Sequence, residues 1–191
     1  MSDAGRWQQL VDAHELAEKR KPVQVLDRPP VHEPTAAILA CSDARVPPSV
    51  IFDQPAGSLF VVRIAGNTAS PAALASLDYA VGELGVELLI VLGHTGCGAV
   101  QAAAGGTCGG HLAPIVEPIC QLALTMPGAS TDDLVRCNVA NTVEQLERHT
   151  GPVGTSARAG RLEIRGAVHD LLTGQLDPVH PRITHAPTEA S

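Results

Sequence analysis

The residues best suited to chemistry stand in two short stretches. Cys41, Asp43 and Arg45 belong to Cys41-Ser42-Asp43-Ala44-Arg45-Val46-Pro47-Pro48, and His94 and Cys97 to Gly93-His94-Thr95-Gly96-Cys97-Gly98. Extended backbone alternates its side chains, so the first stretch sets a thiol, a carboxylate and a guanidinium on one side. In the second, glycines let the backbone turn tightly between imidazole and thiol. A helix starting near Gly98 would bring its positive end to Cys97 and favour the thiolate. One imidazole and two thiolates make a donor set suited to zinc. Three protein ligands with a fourth position left open or switchable is a catalytic rather than a structural pattern.

Each residue alone has a plainer explanation. A buried cysteine is usually a small apolar filler, and an exposed Asp–Arg pair contributes only about 0–1 kcal/mol. It is their joint placement after apolar runs that favours a metal. Other chemistries fit worse. Gly93–Gly98 lacks the Gly-Lys-Ser/Thr ending of a phosphate loop. Thr95 stands where a nucleophile elbow needs glycine. No Cys-x-x-Cys pair exists for redox chemistry of the thioredoxin type.

The elements that must position these groups alternate between strand and helix. Residues 35–41, 58–66 and 87–93 read as short buried strands, and 161–171 alternates as a fourth, edge-like strand. Helices are predicted over 70–85, with Ser70 as N-cap, Pro71 in the first turn and Gly85 as stop. Further helices are expected over 99–104, 111–125 and 131–149. Residues 6–20 have the spacing of an amphipathic helical arm, followed by an extended linker through Pro22, Pro29, Pro30 and Pro34. The end, 182–191, is polar. The expected fold is α/β: a small, mainly parallel β-sheet flanked by helices, with an N-terminal helical arm. The whole chain, 1–191, is read as one domain, with arm and linker at 6–34 and a catalytic core at 35–180. Ligands in such folds gather at the carboxyl ends of the strands, where both stretches stand.

Composition narrows the partners. Apolar residues make up 45% but aromatics only 2%, so Ala, Val, Leu and Ile must build the core. Charged residues are sparse at 17%, which suggests surface hidden between subunits. A formal charge of −7 disfavours nucleic acid and anionic membranes as partners. No run approaches the roughly 20 apolar residues that span a bilayer, and the acidic N-terminal stretch lacks a signal's apolar region. A cytoplasmic location is expected. The five cysteines form an odd set, so reduced thiols are expected. Cys108, Cys120 and Cys137 lack ligand spacing and read as free or buried thiols.

At the quoted residues the chain resembles the β-class carbonic anhydrases. CSDARVPP (41–48), FDQPAGSLFVVRIAGN (52–67), ASLDYAVGELGV (75–86) and LLIVLGHTGCGAV (88–100) follow that family's order and spacing. NVANTVEQL (138–146) and AGRLEIRGAVHDLLTG (159–174) are similar to its C-terminal helix and last strand. The resemblance implies Cys41, His94 and Cys97 as ligands of Zn2+, and Asp43 and Arg45 as the catalytic pair. Asp43 would be a fourth ligand when unpaired from Arg45. The implied reaction is reversible hydration of carbon dioxide to bicarbonate and a proton, by a homodimer or homotetramer whose arms wrap the partner.

Gln54 has a family-like position for donating to a substrate oxygen, though bonding to local backbone explains it equally well. Small residues, Ala65, Gly66 and Gly98, leave room for a small apolar substrate. Two thiolates give a metal more charge than imidazoles do, so activity is expected to strengthen above neutral pH. Some positions depart from the family. Ile38 replaces a tryptophan tied to bicarbonate regulation, and His169 stands where tyrosine is common. Two alternatives stay open: hydrolysis of an analogue such as carbonyl sulfide or carbon disulfide, and a catalytically silent zinc-binding module. The Asp43–Arg45 pair argues against the second.

Overall fold

The computed structural model describes residues 3–20 and 32–180. The first of these is a helix, α1 (Asp3–Arg20), whose last turn carries Lys19 and Arg20 as its negative end favours. Trp7 and Leu10 on it are exposed. Most of the expected linker and the polar end lie outside the described residues.

Residues 32–180 form a separate unit built on one sheet. One inner strand is β1 (Ala36–Ala40), all five residues of which are buried. Parallel neighbours flank it: β2 (Leu59–Arg63) and β3 (Leu88–His94). Next to β3 comes parallel β4 (Glu163–His169), and β5 (Leu176–Val179) closes the order β2-β1-β3-β4-β5 as its antiparallel neighbour. The α/β expectation holds. The edge-like reading of the fourth strand does not, because β5 covers it. A four-residue strand containing Pro178 is too short and too interrupted to stand out in the sequence.

The helices are α2 (Pro48–Ile51), α3 (Pro71–Gly82), α4 (Gly98–Ala104), α5 (Ala113–Thr125), α6 (Thr131–Arg148) and α7 (Pro152–Arg158). Ser70 caps α3 by accepting the Ala73 N–H, and Ser130 with Asp133 forms a capping box on α6. The main core lies where Leu39, Leu89 and Val91 of the sheet meet Leu77, Val100, Ile119, Val139 and Leu146 of the helices. Each such side chain stabilises the fold by about 1.5–3 kcal/mol on burial. On the opposite face Ile38, Ala40, Leu92 and Ala167 form a smaller cluster with Ile51 and Phe52.

Helix α6 presses closely on the sheet beside the end of β3. A Cβ on Gly93 would stand 2.6 Å from Val139 Cγ2 and 3.3 Å from Val135 Cγ1. Only a residue without a side chain fits there. The strand end, and His94 with it, is thus seated by packing.

Candidate metal centre

Adjacent parallel strands bring the two stretches together. Cys41 follows β1 directly, His94 is the last residue of β3, and β1 pairs with β3. Their sulfurs and imidazole are all buried. Cys41 Sγ and Cys97 Sγ stand 3.9 Å apart, and the donor atoms of Cys41, His94 and Cys97 all lie within 4.8 Å of one another.

Each donor is aimed by its surroundings. The Gly66 N–H points at Cys41 Sγ from 3.3 Å. Gly66 has φ +68°, and a Cβ there would stand 2.9 Å from Ile119 Cδ1, so no other residue offers that N–H so closely. Cys97 precedes α4, and the N–H groups of Val100 and Ala99 in its first turn face the sulfur. His94 Nδ1 lies 3.0 Å from the carbonyl oxygen of Thr95. A carbonyl only accepts, so Nδ1 carries the hydrogen and Nε2 keeps its lone pair. That Nε2 is buried without a hydrogen-bond partner.

These features fit a divalent zinc ion. Tetrahedral zinc with Zn–S of about 2.3 Å needs its sulfurs about 3.8 Å apart. The observed sulfur spacing agrees, and the orphaned nitrogen supplies the third donor. Leaving such a nitrogen buried and unpaired costs about 1–3 kcal/mol, which coordination would remove.

The charge distribution is consistent. A hydrogen bond from Cys97 favours the Cys41 thiolate against the cost of burial, bringing its pKa down to about 4. Cys97 moves the opposite way, for the same bond and for burial, despite its helix N–H groups. Without a metal, the pair therefore favours a thiolate at Cys41 and a thiol at Cys97. The dipole effect expected at Cys97 is present but outweighed. Burial works to lower the His94 pKa, but the Cys41 sulfur, the Thr95 carbonyl and the Asp43 charge together raise it.

Asp43 and Arg45 meet by a turn, and here the alternation expected from the sequence fails. The strand ends at Ala40, and the Arg45 N–H donates to Asp43 Oδ1 at 2.9 Å. That bond folds the guanidinium back, so Nε reaches Oδ1 at 2.9 Å and a terminal nitrogen reaches Oδ2 at 2.7 Å. The Arg45 side chain and then its N–H hold the Asp43 carboxyl well below the usual carboxylate range. Asp43 Oδ2 stands 3.8 Å from His94 Nε2, at the rim of the donor cluster.

A family model described as carbonic anhydrase matches residues 36–176. The chain belongs to the β-class carbonic anhydrases. It is 38% identical to carbonic anhydrase 2 of Mycobacterium tuberculosis over 151 residues, covering 75% of this chain and 73% of that one. Against a carbonic anhydrase of Pseudomonas aeruginosa it is 35% identical over 160 residues, covering 75% and 72%. Among solved structures, a tetrameric β-carbonic anhydrase of Sordaria macrospora superposes with TM-score 0.69 at 25% identity, covering 78% of this chain and 82% of that one.

As a carbonic anhydrase, a lyase, the chain assembles its key residues with two exceptions. Gln54 is exposed and donates to the Phe52 carbonyl at 3.0 Å, sharing no hydrogen bond with the cluster. Gly98 follows the donor Cys97 directly but brings no side chain to the cluster, and a Cβ there would meet nothing within 4 Å beyond its chain neighbours and its own helix. Ile38 is fully buried in the smaller cluster. His169 pairs in register with His94, and its carbonyl accepts the Thr95 N–H at 3.1 Å.

Sequence reasoning missed the residues that hold the frame. Arg63 donates to the carbonyls of Cys41 and Asp43. Asn138 donates to the Gly66 carbonyl at 2.8 Å, and Asp132 accepts the Gly96 N–H. Their signal was long-range pairing, which no local pattern carries.

The thiol expectation needs correction at two positions. Cys108 and Cys120 are joined as a disulfide. Spacing alone hid this, because the pair meets only once α4 and α5 pack together. Among the described residues, no helix is long and apolar enough to cross a membrane.

Proposed function

We propose that Cys41, His94 and Cys97 hold zinc and that Asp43 and Arg45 run the hydration of carbon dioxide around it. When bound, zinc supplies the Lewis acidity that makes water nucleophilic near neutral pH. The carrying observation is the buried, partnerless His94 Nε2 beside two sulfurs, all within 4.8 Å.

The chain's own groups have distinct tasks. Asp43 stays ionised under Arg45 and can accept a hydrogen bond from the attacking water, turning its lone pair to carbon dioxide. Arg45 is the gate: while it grips both carboxylate oxygens, Asp43 is kept from competing as a fourth donor. Arg63 keeps the backbone from Cys41 to Asp43 in place. The open space at Gly98 supports entry of a small apolar molecule beside Cys97. Gln54 is proposed as a further donor to a substrate oxygen, since its exposed amide need only exchange the Phe52 carbonyl for it.

A homodimer or homotetramer is part of this reading. The exposed Trp7 and Leu10 of α1 support it, as does the tetrameric Sordaria relative. So is a cytoplasmic site of action, because the Cys41 and Cys97 thiols must remain reduced. Stopped-flow hydration of carbon dioxide by the zinc-loaded protein tests the proposal, with activity expected to strengthen above neutral pH. Absence of turnover at alkaline pH, with one zinc bound per chain, would refute it. Sedimentation at micromolar concentration reads the assembly.

A further inference from the structure

The segment between α4 and α5 contains a bond that the hydration chemistry does not use. Cys108 is exposed among Gly105, Gly106, Gly109 and Gly110, whereas Cys120 is buried at 3% exposure on the inner face of α5. A Cβ placed on Gly106, Gly109 or Gly110 would meet nothing within 4 Å. The surroundings of Cys108 are therefore open to another molecule.

What the bond ties down reaches the metal centre from both sides. Cys120 Sγ lies 3.9 Å from the carbonyl of Ala103 and 3.7 Å from that of Thr107, against the end of α4. The other end of α4 begins beside Cys97. On α5, Ile119 is the neighbour of Cys120, and its side chain packs on Gly66, the residue whose N–H points at Cys41 Sγ. One turn earlier the Ile115 carbonyl accepts the Thr68 hydroxyl at 3.1 Å. The disulfide thus fixes α5 where it holds the Gly66 turn, and fixes α4 where it carries Cys97.

We infer that Cys108–Cys120 is a reversible redox modification site that sets how firmly the metal triad grips its ion. The reductant is an external dithiol of the thioredoxin type. Its thiolate attacks the exposed Cys108 sulfur. The sulfur–sulfur bond breaks, and its electron pair leaves on Cys120, which takes up a proton. The reductant's second thiol then displaces Cys108, which is also protonated. The chain gains two electrons and two protons, and the dithiol becomes a disulfide. Oxidised, the clamp holds the Gly66 N–H and the start of α4 in place. Reduced, it releases α5, and the Cys41 sulfur loses a fixed donor.

This inference rests on the triad holding zinc. The test uses zinc-loaded wild-type protein, treated or not with a phosphine reductant, which avoids the chelation that dithiols bring. Alkylation and mass measurement count the thiols, transfer of zinc to a chromogenic chelator reads the grip, and amide exchange at 65–68 and 113–125 reads the clamp. Reduction is expected to expose thiols at 108 and 120, to speed zinc transfer roughly tenfold, and to quicken exchange in both segments. Reoxidation by a small external disulfide, which takes up the two electrons and two protons and leaves as two thiols, should restore all three. Cys108→Ser should transfer zinc fast whether or not phosphine is present, and the wild-type comparison stands even if that variant folds poorly. Zinc transfer unaltered after both thiols are alkylated would overturn the inference, as would alkylation at both without reductant. Protein that never takes up zinc would instead sink the metal assignment.

Discussion

Two cysteine pairs flank helix α4, and their sulfurs meet different ends. Before it, Cys97 faces Cys41 across 3.9 Å without a covalent bond; after it, Cys108 is joined to Cys120. A disulfide needs sulfurs about 2 Å apart and backbone free to bring them there. Cys41 is fixed by the β1–β3 pairing and Cys97 by the start of α4, so neither can close the gap. Cys108 belongs to an exposed glycine-rich segment that can follow its partner. Rigid framing keeps two thiols apart as candidate ligands, and pliable framing lets two others bond. The difference lies in the scaffold beneath them.

The largest effect should come from the framed pair. Cys97→Ser removes one of three donors, and hydration should fall by more than about 100-fold, in proportion to zinc lost as measured by elemental analysis. Full zinc retention would erase the contrast between the pairs. Arg45→Ala should keep zinc yet lower turnover by roughly 10- to 100-fold, since Asp43 is then unpaired. Rates equal to wild type would remove the gate.

At the pliable pair the expected cost is stability. Cys108→Ser opens a loop spanning 12 residues of separation and should cost about 2–4 kcal/mol. Thermal melting would show it as a drop of about 5–15 °C for a chain of this size. An unchanged midpoint would mean the bond constrains nothing.

The smallest effect is a proton count. Cys41 is depressed to about 4 and Cys97 is raised, so at pH 8 the metal-free sulfur pair holds one proton. Zinc binding there should release about one proton from the pair rather than two. Below pH 4 the Cys41 thiol is protonated as well, so zinc affinity should fall more steeply with acid. Calorimetry in buffers of different ionisation heat reads the number, and two protons at pH 8 would deny this arrangement.

Legibility followed the range of the interactions. Ser70, Pro71 and the apolar runs marked α3 and the three strands nearest the site because caps and burial patterns are local. Cys41, Asp43, Arg45, His94 and Cys97 were legible as well, since both stretches stand at strand ends in a parallel sheet. The turn that folds Arg45 back on Asp43 was hidden in a stretch that reads as extended. Helix α7, with Gly151, Pro152 and Gly154 in and around it, carries breakers where formers are expected. Its start depends on Asp78, 75 positions away, which accepts the Val153 N–H. Arg63 and Asn138 likewise depend on partners far along the chain, and the Cys108–Cys120 bond on how α5 packs against the end of α4.

The tight fit of Gly93 under Val139 has a consequence for how this protein can vary. A methyl group at 93 would intrude on α6 one residue before His94, so that position cannot drift by single steps. A larger residue becomes reachable only after 139 has first shrunk, and the intermediate would have a void beneath the strand. Position 93 is therefore coupled to 139 and, more weakly, to 135, and a mutational library that samples 93 alone would score it as intolerant.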